Sequence, residues 1–301
     1  MLTQLETGSG LDTVLWLQAH GNGLFDGLAF ALHLLGSNLV YLALLPLVYW
    51  SIDRRLGRYL LLVLVIVTAS VVALKLTFQA PRPFQVSAAV RQIVPQGGYG
   101  LPSGHVAIST AMWGFLAYWL KRRRVTWGVG LYVIFMAWGR MYSGVHYPQD
   151  VIAGALLGLA VIWFTLRYAE PLVGLWHRLH WRAQLASVFL LSLVTLVFLF
   201  EDEAGAGVAG IILGGGVGVM LEERAIRFST TGDLERRSIR YIAGIALTIA
   251  VYAGLQVAFS SLEPEAVFRA LRYSLVTFFA VAGWPWLLSR IGQLESQINA
   301  R

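Results

Sequence analysis

The chain reads as all-α: a polytopic transmembrane helical bundle of about nine spans behind an N-terminal interfacial helical segment. Three observations carry that reading. Of the 301 residues, 57% are hydrophobic and only 13% are charged, too little charge to cover a soluble domain of this length. Mean hydropathy is +0.66. The apolar residues also fall in long blocks rather than at amphipathic spacing, and such blocks cross about 30 Å of hydrocarbon as helices.

Taken in order, residues 1–36 form the interfacial segment. Met1 to Gly10 is polar and lacks the basic-then-apolar pattern of a cleaved leader. Leu11 to Gly36 is moderately apolar but broken by His20, Gly21, Asn22, Gly23 and Asp26. Two short helices lying in the interface fit these interruptions better than a span does. Spans are then expected at 37–53, 59–78, 103–120, 126–142 and 150–168, making a central region 37–170. Four more, at 184–200, 206–221, 241–259 and 267–289, make an additional transmembrane region 171–301. Gly154-x-x-x-Gly158 and Gly210-x-x-x-Gly214-x-x-x-Gly218 put small residues on one helix face, the pattern of close helix packing. They lack the flanking residues of a phosphate-cradling glycine loop.

Charge orients the bundle. The chain has 23 Lys and Arg and a net charge of +7. Six of these residues (Lys75, Arg82, Arg91, Arg140, Arg269 and Arg272) fall on one side of the expected spans. The other 17 fall on the opposite side, in clusters such as Arg54-Arg55-Leu56-Gly57-Arg58 and Lys121 to Arg124. The richer side is cytoplasmic by the positive-inside rule. Short clusters between apolar blocks are topology signals beside anionic headgroups, so nucleic acid is excluded as a partner. The chain has no cysteine, hence no disulfide framework, thiol nucleophile or thiolate metal site.

Three polar clusters interrupt the apolar pattern, all on the non-cytoplasmic side. Lys75 and Arg82-Pro83 flank the start of a Pro/Gly-rich loop that runs from about Gln79 to Leu101. Pro102-Ser103-Gly104-His105 opens the next span, and Arg140, His146 and Asp150 straddle a later turn. Charges at membrane depth are expensive and mark functional sites. These residue types suit phosphoryl transfer. Lys75, Arg82 and Arg140 supply positive charge, and guanidinium forks match phosphate oxygens. Ser103 and Gly104 sit at a helix N-terminus that favours an anion. His146 and Asp150 share a face if the helix reaches back that far. The carboxylate then orients the imidazole toward phosphorus, leaving His105 to protonate the departing oxygen. Each piece alone has a bland reading: a snorkelling arginine, a structural His–Asp pair, a helix start. Their coincidence on one side reverses it.

The set Lys75-x6-Arg82-Pro83, Pro102-Ser103-Gly104-His105 and Arg140-x5-His146-x3-Asp150 resembles the three-part signature of the type-2 phosphatidic acid phosphatase superfamily over roughly residues 37–168. That superfamily includes membrane lipid phosphate phosphatases, glucose-6-phosphatase and soluble vanadium haloperoxidases. The resemblance implies a lipid phosphatase acting on a phosphomonoester or pyrophosphate. In it His146 becomes phosphorylated, Asp150 orients it and His105 is the general acid. Lys75, Arg82, Ser103, Gly104 and Arg140 hold the phosphate, and no metal or other cofactor takes part. A lipid phosphate substrate and membrane lipids are then the partners. The expected location is the cytoplasmic membrane with the site facing outward. The alternatives are a lipid-linked phosphotransferase using the same intermediate, or a non-catalytic lipid-binding or transport protein. The chain departs from the family at Gly139, where a serine is usual, and Ser143 is a candidate replacement. It also departs in starting at the interfacial region without a preceding span, and in the extra spans of 184–289. Those spans have three candidate uses: replacing the missing helix, forming a homodimer contact, or shaping lipid access. Arg269 and Arg272, one turn apart, read as interfacial anchors, with a headgroup contact as the alternative.

Overall fold

The structure is a computed structural model in which residues 8–298 are described, with side chains as far as Ile291. The expected polar, leader-free N-terminus falls largely on residues 1–7, and the tail arginine at 301 falls with it outside the described residues. Among the described residues there is no strand.

The segment expected to lie in the interface is helical as two short pieces, α1 (Ser9–Ala19) and α2 (Gly23–Leu35). They break at the expected polar interruption, where the Asn22 side chain caps α2 by accepting from the Phe25 N–H at 3.1 Å. α3 (Asn38–Leu47) runs into a π-turn at Val48–Ile52 and is followed by α4 (Arg54–Phe78) and the short α5 (Pro83–Val86). After a long loop come α6 (Gly104–Leu120), α7 (Arg123–Tyr142) and α8 (Pro148–Arg178). The chain closes with α9 (Trp181–Leu199), α10 (Glu203–Leu221), α11 (Leu234–Ala258), α12 (Glu265–Phe278) and α13 (Trp284–Ile298).

Six stretches among the described residues are long and apolar enough to cross a membrane: Arg54–Val86, Pro148–Arg178, Trp181–Leu199, Glu203–Ile226, Leu234–Ala258 and Glu265–Ile291. A seventh arises if α2 and α3, bent by 46°, are one broken span. Length and composition by themselves pick out six or seven of the nine expected spans. The difference has a physical origin in α6 and α7. Both are helices where expected, but α6 has only 17 residues, short of about 20 for a full crossing. α7 carries Arg123, Arg124 and Arg140. The chain is an all-helical integral membrane protein.

The residues group into two compact units, one formed by residues up to Tyr41 and Ile66–Ala169, the other by Leu42–Val65 and residues from Glu170 onward. In the first, α8 packs against α6 through the predicted glycine spacing. A Cβ on Gly154 would stand 2.6 Å from the Ser103 carbonyl oxygen, and one on Gly158 2.7 Å from that of Ala107. In the second unit Gly210 and Gly214 of α10 let the backbone of α12 approach at Ala270 and Ser274, the close packing that small residues permit. There the Trp50 indole donates to the Ala280 carbonyl at 2.8 Å. The buried Glu222 carboxylate pairs with Arg54 at 3.0 Å and Arg58 at 3.3 Å, the compensation that a buried charge requires.

Candidate active site

The first unit gathers the three polar clusters around the α7–α8 turn. That turn reverses at Gly144, whose φ of +72° is a left-handed conformation and whose missing Cβ leaves room for the Arg91 carbonyl and Val90. Glycine satisfies both demands. The long loop is pinned to the same turn: Phe84 N–H donates to the Gly144 carbonyl at 3.2 Å and Ile93 N–H to that of Ser143 at 3.1 Å. Thus Arg82, the loop and His146 are drawn together by backbone hydrogen bonds.

His146 is 1% exposed and lies two residues before α8 begins at Pro148. It does not share a helical face with Asp150, because the helix does not reach back that far. The turn brings the two side chains together instead. The Asp150 carboxylate oxygen Oδ2 lies 3.2 Å from His146 Nδ1 and also accepts the Tyr147 N–H at 2.9 Å. On the other edge of the ring, Arg82 Nη1 is 3.2 Å from Nε2. A guanidinium only donates, so Nε2 is the accepting nitrogen and Nδ1 carries the proton toward Asp150. Burial draws the His146 pKa well below the ordinary histidine range, and the charges of Arg82, Arg140, Lys75 and His105 act in the same direction. The ring is a neutral base with its lone pair on Nε2.

The two arginines are used differently. Arg82 is fully buried and donates from Nε and Nη2 to the carbonyls of Gly97, Gly98 and Tyr99, at 2.8 to 3.1 Å. Its Nη1 donates to the Val145 carbonyl at 2.8 Å. Its donors thus hold the loop and the turn, with one edge left on His146. Arg140, near the end of α7, donates to Gln96 Oε1 at 2.6 Å and to His33 Nδ1 at 3.0 Å. Its buried Nε has no partner. Arg140 therefore keeps more donors for an incoming anion than Arg82 does.

Ser103 precedes α6 without capping it, and its buried hydroxyl has no partner among the described residues. Its N–H donates to the Asp150 carbonyl at 2.9 Å, fixing the start of α6 to the start of α8. Gly104 is the first residue of α6, next to His105. His105 Nε2 is buried without a hydrogen-bond partner, and its ring stacks on His33 with centroids 5.1 Å apart. Lys75 lies in the last turn of α4, and its charge reaches His146.

Sequence reasoning missed His33 and Gln96, which orient Arg140. Only a histidine inside an otherwise apolar helix hinted at the first. The N-terminal helices are also tied to the site elsewhere. Gln18 donates to the Arg91 carbonyl at 2.8 Å and the Tyr142 carbonyl at 2.9 Å, and accepts the Arg91 N–H at 2.9 Å. Gly139 has its reason in α2: a Cβ there would meet Leu32 Cδ1 at 3.0 Å, so the position is taken up by helix packing. Ser143 does not replace the usual serine's donor, because its hydroxyl donates to the Gly139 carbonyl at 2.6 Å.

Several known proteins resemble the chain in sequence. "Lipid phosphate phosphatase delta" of Arabidopsis thaliana is 28% identical over 178 residues, covering 54% of this chain and 43% of that protein. "Sphingosine-1-phosphate phosphatase 2" of Homo sapiens is 30% identical over 139 residues, covering 44% of this chain and 34% of that protein. The chain thus spans less than half the length of either relative. A crystal structure of Aquifex aeolicus LpxE shares 25% identity, with a TM-score of 0.48 over 55% of this chain and 99% of that one. Residues 56–174 match the family model of the PAP2 superfamily, and residues 206–297 match that of the PAP2 superfamily phosphatase transmembrane extension. The first match holds all three polar clusters and the second holds most of the unexplained C-terminal helices, so the chain belongs to the PAP2 superfamily.

Proposed function

We propose that this chain is a membrane phosphatase that hydrolyses a phosphomonoester or pyrophosphate of a lipid through a phosphohistidine on His146, at the outward face of the cytoplasmic membrane. The observation that carries the reading is the His146 ring itself. Nδ1 is held by Asp150 at 3.2 Å, and Nε2 lies unprotonated beside Arg82, also at 3.2 Å.

In the first step Nε2 attacks phosphorus. The P–N bond forms as the bond to the lipid oxygen breaks, and His105, protonated once the incoming phosphate offsets the surrounding cations, gives that oxygen its proton. The N–H on Nδ1 stays on Asp150, which balances the positive charge the ring acquires. Arg140, Lys75 and the Nη1 edge of Arg82 meet the charge on the equatorial oxygens, aided by the Ser103 hydroxyl and the Gly104 N–H at the α6 N-terminus. In the second step water attacks phosphorus, His105 takes its proton, and the P–N bond breaks. The products are the dephosphorylated lipid (or the lipid monophosphate, from a pyrophosphate) and inorganic phosphate, with the enzyme restored. Among the described residues no three His, Cys, Asp or Glu side chains group as metal ligands, and the cationic side chains supply the charge instead.

Both relatives are named for lipid phosphates, which supports the substrate class. The outward orientation rests on the division of Lys and Arg between the loops. The test is phosphate release from a panel of lipid monophosphates and pyrophosphates by the detergent-purified chain, with and without chelator and with and without an acceptor lipid. Release of inorganic phosphate that persists in chelator and is blocked by vanadate is expected. Transfer to the acceptor without free phosphate, or an absolute demand for added Mg²⁺, overturns the mechanism.

A further inference from the structure

The second unit holds a cavity of about 570 Å³ lined by α11, α12, the turn between them and the start of α10, with Tyr252, Gln256, Arg269, Arg272 and Tyr273 among its residues. That size is ordinary for a small-ligand site, typically about 300–1,000 Å³.

Its two arginines differ. Arg269 is paired with Glu203 at 2.6 Å and with Glu265. Arg272, one turn further along α12, is 9% exposed and its Nε is buried without a hydrogen-bond partner. Among the described residues it makes no ion pair. It is flanked instead by rings, its guanidinium carbon 5.4 Å from the Tyr252 centroid and 5.7 Å from that of Tyr273. Aromatic faces hold a guanidinium flat but accept none of its five in-plane N–H donors.

Arg272 lies seven residues beyond the start of α12, roughly 10 Å along the axis at 1.5 Å per residue. It falls inside a stretch apolar enough to cross a membrane. Arginines at such depth are almost always paired, and a buried charge with no counter-charge is strongly destabilising. A guanidinium held in plane, with its donors unmet and facing a cavity, fits an oxyanion with two oxygens in its fork.

We propose that the cavity at Arg272 binds a phosphate group, a function separate from hydrolysis and built wholly within the second unit. The rim selects the charge state. Glu203, Glu263 and Glu265 line the same cavity, and Arg269 offsets only part of their charge. These carboxylates disfavour any anion and a dianion most, so a singly charged phosphodiester held by the Arg272 fork is favoured over a dianionic monoester. The ligand is thus chemically distinct from a phosphomonoester substrate.

The experiment titrates the full chain in detergent with short-chain phosphatidylglycerol, and separately with inorganic phosphate, reading retained ligand by native mass spectrometry and ligand-dependent shifts in Tm. Wild type and Arg140→Gln should bind the phosphodiester lipid alike, since Arg140 belongs to the hydrolytic site. Arg272→Gln should weaken that binding by about tenfold or more, as expected when a charged hydrogen-bond partner is lost. Arg272→Lys keeps the charge but loses the fork, so it should fall between and carries the test if the glutamine variant does not fold. Competition by inorganic phosphate assigns the site to the free anion, and its failure to compete assigns it to the lipid headgroup. Wild-type lipid affinity in both Arg272 variants overturns the proposal, whether or not their ligand-free Tm falls. The hydrolytic reading is tested by phosphate release, so the two can fail independently.

Discussion

Asp150 holds the proton on Nδ1 of His146 and so leaves the lone pair on Nε2, where the proposed nucleophile exchanges the Arg82 donor for phosphorus. His146→Ala should abolish phosphate release, a loss of roughly a thousandfold or more for a covalent nucleophile. Asp150→Asn should cost less, since the ring remains. The direction of the pKa shift adds a pH signature. Burial and the neighbouring cations hold His146 neutral below the ordinary histidine value, so the nucleophilic form persists as pH falls through about 6.5. The acid limb of kcat/KM should therefore lie below that value; a limb centred there contradicts the assignment. The two arginines should separate in a stability assay. Arg82→Lys abandons several buried carbonyl acceptors, each costing about 1–3 kcal/mol when unmet, so Tm and activity should fall together. Arg140→Lys should lower kcat/KM with a smaller change in Tm. His33→Ala removes the Arg140 acceptor and the ring beneath His105. A drop in kcat/KM of roughly tenfold is expected, about the 1.4 kcal/mol of one hydrogen bond. His33→Gln should recover part of it by restoring an acceptor. Full activity in His33→Ala would reduce the contact to packing.

At the scale of elements, the site is a product of helix approach. α8 can carry Asp150 to the start of α6 only because Gly154 lets the Ser103 carbonyl come close. Exchanging a helical glycine for alanine normally stabilises by about 1 kcal/mol. Gly154→Ala should reverse that sign, because a Cβ at 2.6 Å from a backbone oxygen forces α6 and α8 apart. Activity should fall at least about tenfold, given the sensitivity of catalysis to shifts of about 1 Å. Gly174→Ala, on the same helix with open space around it, is the control and should leave activity and Tm unchanged or slightly raise Tm. A Gly154→Ala enzyme as active as the control sinks the packing argument. α6 and α7 carry proposed site residues (Ser103, Gly104, His105 and Arg140) at or near their ends, so length and composition alone do not single out either helix as a crossing.

For the whole molecule the decisive property is orientation. The chain lacks cysteine, so single introduced thiols report topology directly. Gln96 is unsuited to this use, because its side chain accepts from Arg140. Ala89, exposed in the same loop, and Thr126, exposed at the opposite end of α7, are the better pair. In intact cells, or spheroplasts where an outer membrane blocks access, Ala89→Cys should react with an impermeant thiol reagent. Thr126→Cys should react only after the membrane is opened. The reverse pattern overturns the outward-facing site and every substrate confined to the outer leaflet.

Hydropathy blocks, loop charges and the three clusters of polar residues were legible in the sequence, because each is a local signal. A span is contiguous, and Lys75, Arg82, Ser103, Gly104, His105, Arg140, His146 and Asp150 fall at short spacings beside span ends. The glycine repeats also read correctly as packing faces, since a period of four maps directly onto one side of a helix. Pairings between distant segments were not legible. His33 reaches Arg140 across 107 positions and Gln18 reaches Tyr142 across 124, and no local pattern encodes such contacts. For the same reason Gly139 looked like a missing donor until α2 was seen packed against it. Arg272 read as an interfacial anchor until its neighbours proved to be two rings and a cavity. The sequence determined which residue types stand at membrane depth. Tertiary packing decided which of their hydrogen-bonding groups are already satisfied and which are left for a ligand.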